Sequence, residues 1–333
     1  MWQYIVRRSA YMLFTVWIIS VITFGVIQLP PGDYVSSMVS QMINSGMDDL
    51  PPNFEDQLRA QYGLNQPIYV QYGKWLRNIV VEGKFGYSFI YRRDARDIIL
   101  ERLPVSFAIS AFSILFVWIV ALPVGIYSAV KQYSKADYFV TFVAFIGLAI
   151  PNFLFALILM FISYRYMDRA MIGLFSQEYA NAPWSFAKFL DLVQHLWIPV
   201  IIIGTSGTAG LIRTMRANLL DELNKPYVAT ARSKGLSERT LLWKYPVRHA
   251  LNPFVSTIGW ILPSLVAGEL IVSIVLNLPT TGPVVYNALL DQDMYLAGAM
   301  LLMLSALTIL GTFLSDILLA AMDPRIRRGM MAH

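Results

Sequence analysis

Cysteine is absent from this chain. Its absence excludes a disulfide framework, a thiol nucleophile and a thiolate metal site. Histidine is scarce: His195, His249 and His333 lie far apart, which argues against a histidine metal centre, whose ligands cluster in sequence. Charge is thin as well, at 14% of residues, against about 25% in an ordinary soluble domain. There is no GxxxxGK[ST] phosphate loop, so the chain carries no ATP site of that type. No nucleophile–base set suggests an enzyme either.

What remains is apolar. Hydrophobic residues make up 56% of the chain and the mean hydropathy is +0.54. They fall into long uncharged runs, which points to lipid as the solvent. The runs cover 9–29, 104–130, 138–164 and 192–212, then 250–278 with one acid, Glu269, and 294–322 with one acid, Asp316. A helix of about 20 residues is about 30 Å long, one hydrocarbon thickness. The expected architecture is therefore all-α, with six transmembrane helices. The first run follows Arg7 and Arg8 as a signal peptide would, but it exceeds the usual 7–15 apolar residues and Pro30-Pro31-Gly32-Asp33 is a poor cleavage site. An uncleaved first helix is expected.

Loop charge orients the spans. With the N-terminus inside, most of the 26 basic residues fall on inner segments, from Arg7, Arg8, Lys131 and Lys135 to Arg325, Arg327 and Arg328. The short outer loops hold only Arg165, Arg169 and Lys188; the rest lie in the long segment 31–103, and long loops translocate largely regardless of charge. Both termini are expected in the cytoplasm. The net charge of +5 follows from this bias and requires no nucleic acid. The chain divides into a cytoplasmic N-terminus with the first helix (1–30), an extracytoplasmic segment (31–103), a five-helix core (104–322) and a cytoplasmic tail (323–333).

Two soluble segments stand out. In 31–103, breakers such as Pro51-Pro52, Gly63, Gly83 and Gly86 predict short helices and turns. Within it, 68–81 places Trp75, Leu76, Ile79 and Val80 at helical spacing, the pattern of a helix packed on its own domain or on the membrane face, or of a docking surface for an external partner. The inner segment 213–250 is far more polar than its surroundings. Pro226 suits a first helical turn over 227–234, Gly235 suits the left-handed position that ends it, and Ser237 can cap a second short helix. The result is a helix–glycine–helix elbow; the plain alternative is a basic loop held near anionic lipid.

Tyr227, Ala231, Arg232, Lys234, Gly235, Leu236 and Ser237, with Arg248, Ala250 and Pro253 further on, carry a resemblance. So do Gly63-Leu64, Gln66-Pro67, Gln71-Tyr72, Gly83, Phe85-Gly86 and Ser88 in the outer segment, Pro151 and Phe153 in the third run, and Asp323-Pro324-Arg325 at the end. In this order they resemble the B-type permease of the oligopeptide/dipeptide ABC importers, and the elbow resembles that family's cytoplasmic EAA loop. The resemblance implies the type I importer fold in a bacterial or archaeal plasma membrane. It implies a second homologous permease, two ATP-binding subunits holding ATP and magnesium, and an extracytoplasmic substrate-binding protein. The chain itself would bind no cofactor and would not be an enzyme. The elbow would insert into a groove of an ATP-binding subunit, whose closure turns the permease from inward- to outward-facing.

The chain departs from the family at one place. Where relatives have Glu-Thr and then Trp-Pro-Gly-Leu-Gly, it has Ser273-Ile274 and then Leu278-Pro279-Thr280-Thr281-Gly282. Oligosaccharides or nickel thus stand beside peptides as cargo. Acids inside a span are costly, about 2.5–3.5 kcal/mol when central, so Glu269 is expected to face the bundle or a cavity. Asp316, nearer the inner end, reads as an interfacial cap or a partner of a C-terminal arginine, with a place on the translocation pathway as the alternative. Pro151-Asn152 interrupts the third run and permits a kink that alternating access could use, and Asn152 and Glu269 join Asp316 as candidates for the translocation pathway. The methionines of the last run, Met294, Met300 and Met303, read as adaptable packing. A stand-alone secondary transporter would call for paired intramembrane acids or inverted repeats.

Overall fold

The computed structural model describes residues 2–28, 34–44, 46, 51, 53–62, 64–88, 90–167, 172–180, 182–251, 254 and 270–322. Apart from one two-stranded hairpin, the regular elements among them are helices. Helix α1 (Trp2–Ile27) holds the first apolar run. Three short helices follow, α2 (Tyr34–Asn44), α3 (Phe54–Tyr62) and α4 (Ile68–Arg77). The last of these widens into a π turn over Asn78–Glu82, closed by Gly83. The hairpin strands β1 (Tyr87–Ser88) and β2 (Arg93–Asp94) pair antiparallel and lead into the long helix α5 (Ala95–Val130).

Helix α6 (Lys135–Ala149) and helix α7 (Asn152–Met167) take up the third apolar run. It is broken rather than kinked: the two halves meet at 100°. Pro151 has no N–H to give and its ring drives the preceding residue out of the helical region, and Ile150 is extended at φ −79, ψ 121. A one-turn helix, α8 (Gln177–Ala180), precedes α9 (Phe186–Leu223). The apolar run 192–212 stops well short of the end of α9, so the first part of the expected loop 213–250 is helix. Helices α10 (Pro226–Ser233), α11 (Glu238–Lys244) and α12 (Pro246–Ala250) form the elbow. Then come α13 (Leu270–Val275), α14 (Thr281–Leu290) and α15 (Met294–Met322).

Four helices are long and apolar enough to cross a membrane, Gln3–Ile27, Ala95–Val130, Phe186–Thr205 and Met294–Ile317, and the bent pair makes a fifth candidate. Most of the run 250–278, including Glu269, lies outside the described residues.

The parallel pair α5 and α9 forms the centre. Lipid tails are as apolar as leucine, so helices in a bilayer associate by close packing, which small residues permit. Ala121, Gly125 and Ala129 are buried, and Ile126 and Ala129 share a core with Met215 and Leu219 of α9 and with Val247 and Ala250 of α12. A Cβ on Gly125 would stand 2.7 Å from the Cβ of Met215 and 3.1 Å from the Ile212 carbonyl. A second core joins Ile109 of α5 to Ala156 of α7, Ile198 and Ile202 of α9, and Val272 and Leu276 of α13. Met300 of α15 is fully buried against Ala95 and Ile98, as its adaptable side chain suggested.

The segment between α1 and α5 packs on this frame. Trp75 is buried against Phe24 of α1 and Tyr72, with ring centroids 5.6 Å and 6.3 Å away. Of the four residues at helical spacing in 68–81, Trp75, Leu76 and Ile79 pack on the protein itself, while Val80 is exposed. Buried Asp293 fastens the hairpin to α15: Ser88 Oγ donates to it at 2.6 Å, and it accepts the Leu296 N–H at 3.2 Å as a helix cap. Helices α1 and α15 meet at their other ends, where Arg8 Nε donates to Asp316 Oδ2 at 2.6 Å and the Tyr4 hydroxyl donates to the Asp316 carbonyl.

The α5–α9 contact makes a measurable claim. Gly125→Val overfills it and is expected to cost about 1–3 kcal/mol, lowering the thermal midpoint of the detergent-solubilised protein. Gly210→Ala, on the same helix as Met215 but with open space around the added carbon, is expected to leave the midpoint unchanged.

Candidate functional site

The elbow is built by local signals. Pro226 takes the first helical position of α10, where its missing N–H costs nothing. The helix ends one residue earlier than the spacing suggested, and Gly235 at φ +79 turns the chain, its N–H donating to the Arg232 carbonyl at 3.0 Å. Ser237 caps α11 as expected, accepting the Thr240 N–H. The two helices share a small interior: Val228, Ala231 and Leu241 are buried, with Tyr227, Leu236 and Tyr245 partly covered against them. Burying a side chain such as Leu241 is worth about 1.5–3 kcal/mol in water. The elbow is therefore a packed unit and not a slack basic loop.

The seven elbow residues singled out from sequence divide into two groups. Tyr227, Ala231 and Leu236 belong to the interior. Arg232, Lys234, Gly235 and Ser237 are exposed on the turn. Across that turn Arg232 grips Glu238 with both ends of its guanidinium, Nε–Oε1 at 2.6 Å and Nη2–Oε2 at 3.1 Å. An exposed pair of this kind adds little to stability; it holds the rim of the elbow in one shape.

The join to α9 rests on a residue the sequence did not flag. Glu222, in the last turn of α9, accepts from Lys225 Nζ at 2.5 Å and from the Tyr227 hydroxyl. Burial alone would raise the Glu222 carboxyl, but these donors outweigh it and hold the group below the usual carboxylate range. Burial, then the neighbouring Glu222 carboxylate, pushes the Tyr227 hydroxyl up. The Tyr227 ring lies 5.7 Å from that of His249 on α12. Helix α12 in turn packs into the α5–α9 core through Val247 and Ala250, so the elbow is anchored at both ends.

A second tie runs sideways. Asp137, near the start of α6, is buried and accepts from Arg216 of α9 at 3.2 Å (Nε) and 3.0 Å (Nη2). It also accepts from Ser128 Oγ and the Tyr133 N–H. One carboxylate thus joins α5, α6 and α9. Two signals for it are present in the sequence: Asp137 is the sole acid between Glu101 and Asp168, and it stands three residues after Ser134, whose hydroxyl accepts the Asp137 N–H as a helix cap.

The pathway candidates fare differently. Asn152 begins α7 just beyond the break, is half-buried and is engaged in contacts. Glu269 is outside the described residues. Asp316 is taken up by Arg8 at the other end of the chain; the C-terminal arginines are outside the described residues. No cluster of metal-binding side chains occurs among the described residues. His195 is buried on α9, its Nδ1 2.8 Å from the Asp191 carbonyl.

Comparison with known proteins places this arrangement. The family model described as "Binding-protein-dependent transport system inner membrane component" matches residues 121–328, the stretch that contains α9 and the elbow. This chain belongs to that family. The companion model for the N-terminal part of these transport-system membrane components matches residues 1–110. The oligopeptide transport system permease protein AppB of Bacillus subtilis is 34% identical over 97% of this chain and 98% of its own. OppB of Haemophilus influenzae, also an oligopeptide transport system permease protein, is 28% identical over 98% of this chain and 100% of its own. Among solved structures, the inward-facing MetNI methionine ABC transporter superposes with a TM-score of 0.53 at 17% identity, over 68% of this chain and 96% of that one. The likeness supports the type I importer fold. This binding-protein-dependent permease is thus a multi-pass protein of the plasma membrane.

Glu222 makes the join of the permease's elbow acid-sensitive. A carboxyl whose folded pKa lies below its unfolded value, about 4.3, contributes stability that is present above that value and is lost as pH falls through the folded one. Hydrogen-exchange protection of α10 is expected to stay constant from neutral pH down to about 5 and to drop below about 4. In Glu222→Gln the protection should be lower at neutral pH and the acid step should vanish.

Proposed function

We propose that this permease is one of two homologous membrane subunits of an ATP-driven importer, that residues 226–244 seat in a groove of an ATP-binding subunit, and that its cargo is peptides handed over by an extracytoplasmic binding protein. The observation that carries the reading is mechanical. The elbow has its own packed interior, it is fastened to α9 through Glu222 and to the α5–α9 core through α12, and its rim of Arg232, Lys234, Gly235 and Ser237 is exposed. A force on that rim moves α9 without first unfolding the join. The tie through Asp137 passes the same displacement to α6.

Six spans with both termini in the cytoplasm fit this reading. The contact of Arg8 with Asp316 places the start of α1 beside the end of α15, as an even number of spans requires. The division into residues 1–30, 31–103, 104–322 and 323–333 follows, with ATP and magnesium held by the partner subunits and no nucleic acid involved. Peptide cargo is favoured by the relatives, AppB and OppB being oligopeptide transport system permease proteins. The departure at Ser273-Ile274 and Leu278–Gly282 does not oppose it: Ser273, Leu278 and Thr281 are buried in packing, and the Thr281 N–H donates to Ser106 Oγ of α5 at 2.8 Å. Changes at these buried positions alter how α13 and α14 sit on α5, and the exposed departure, Ile274, is apolar and offers no group to hold a sugar or nickel. For this reason oligosaccharide or nickel cargo gains no support from it.

Two variants separate coupling from assembly. Gly235→Pro demands φ near −65° where the chain needs +79° and should abolish the turn. Arg232→Glu leaves the fold and reverses the charge of the rim. In both, peptide uptake is expected to fall by about tenfold or more, the scale of a typical coupling energy, while the permease still reaches the membrane. Uptake at the wild-type rate in both variants would remove the elbow from the coupling path, and purification of the intact transporter without ATP-binding subunits would remove the importer reading itself.

A further inference from the structure

Helices α6 and α9 run antiparallel and meet at two points. At one, Gly147 leaves only 2.8 Å between an added Cβ and the Thr205 methyl. At the other, Arg216 holds Asp137. The stretch between these contacts is ten residues on α6, about 15 Å of helix, and a groove runs along each side of the contact line. The groove on the side of α5 holds about 260 Å³ and is lined by apolar side chains such as Val120, Val140 and Val143, with Thr208. The groove on the other side holds about 170 Å³, is lined by the exposed Phe145 and Leu148, and has Arg213 and Arg216 at its lower end. Ala144, Ala209 and Ile212 line both, between them.

The charge at the lower end is unbalanced. Arg216 is neutralised by Asp137. Arg213 is exposed and has no carboxylate partner among the described residues. A long apolar slot closed by a free guanidinium matches an amphiphile with a hydrocarbon tail and an anionic head. Basic pockets between membrane helices recognise anionic lipid headgroups in this way, and the guanidinium fork suits a phosphate. A helix of a neighbouring subunit would fill the slot but would leave Arg213 unanswered.

We propose that the α6–α9 groove that ends at Arg213 binds one anionic phospholipid, an acyl chain lying on Phe145 and Leu148 and the phosphate resting on Arg213. The site lies beside the contacts between α9 and α6, so an occupied groove sets how far these helices can close. Binding does not depend on the identity of the cargo or on the importer reading; its effect on closure rests on that reading.

The test uses the intact transporter in nanodiscs of equal palmitoyl-oleoyl phosphatidylglycerol and phosphatidylcholine, extracted into mild detergent, with retained lipid measured by mass spectrometry. Wild type is expected to retain phosphatidylglycerol about fivefold over phosphatidylcholine, the weight of about one basic contact. Arg213→Gln should abolish the preference, Arg213→Lys should keep most of it, and Ala144→Leu, which narrows the half-buried middle of the slot, should lower retention of both lipids. Equal retention of the two lipids by wild type, or an unchanged preference in Arg213→Gln, would mean ordinary annular lipid and would overturn the site.

Discussion

Everything else in this protein hangs on the close packing of α5 against α9. In a bilayer the hydrophobic effect does not press helices together, so this contact has to be made by fit. Gly125, Ala121 and Ala129 let the backbone of α5 approach the Met215 turn of α9. The same α9 then runs without a break out of its apolar run and ends in the turn that carries Glu222. One helix is therefore both part of the membrane core and the stalk of the elbow. In the coupling proposed above that continuity matters, because a displacement at the rim has no flexible joint in which to dissipate before it reaches the core.

Two polar ties complete the frame, and the first works because its carboxylate is shielded. Asp137 meets Arg216 with its remaining lone pairs satisfied by Ser128 and the Tyr133 N–H, the condition under which a buried ion pair repays its desolvation. Breaking one partner would strand a charge, so the tie resists small strains and gives way only as a unit. Arg8 and Asp316 perform the same office for α1 and α15. Between them the hairpin is pinned to the start of α15 by Asp293. The first and last helices are held to each other at the ends near residues 8 and 316, while the segment between α1 and α5 closes over their opposite ends.

Much of this was legible in the chain itself. The apolar runs announced helices in lipid, because an uncharged stretch of about 20 residues has few other fates. Pro226, Gly235 and Ser237 marked the elbow to within a residue, since capping and left-handed turns are decided by groups three or four positions apart. Family resemblance, carried in part by Gly235 and its neighbours, was borne out by the match of the transport-system model over 121–328 and by the oligopeptide permease relatives. Less visible was the sharpness of the break at Pro151: proline predicts a disturbed helix, but the 100° angle between its halves depends on what each half packs against.

What the sequence by itself determined, then, is every feature with a local cause: helix content, the elbow's turns, the polarity of the inner segment and the break in the third run. Tertiary structure decided the partnerships. Asp316 was open to several partners, and it is Arg8, at the far end of the chain, that reaches it. Asp137 is a lone acid between two apolar runs in the sequence, and in the structure it is the anchor of Arg216, 79 residues on. The first residues of 213–250 looked like loop, yet they continue α9, because Met215 and Leu219 find a buried place against α5 and α12. In each case the deciding energy is that of burying a group beside a partner distant in sequence, and no local pattern names that partner.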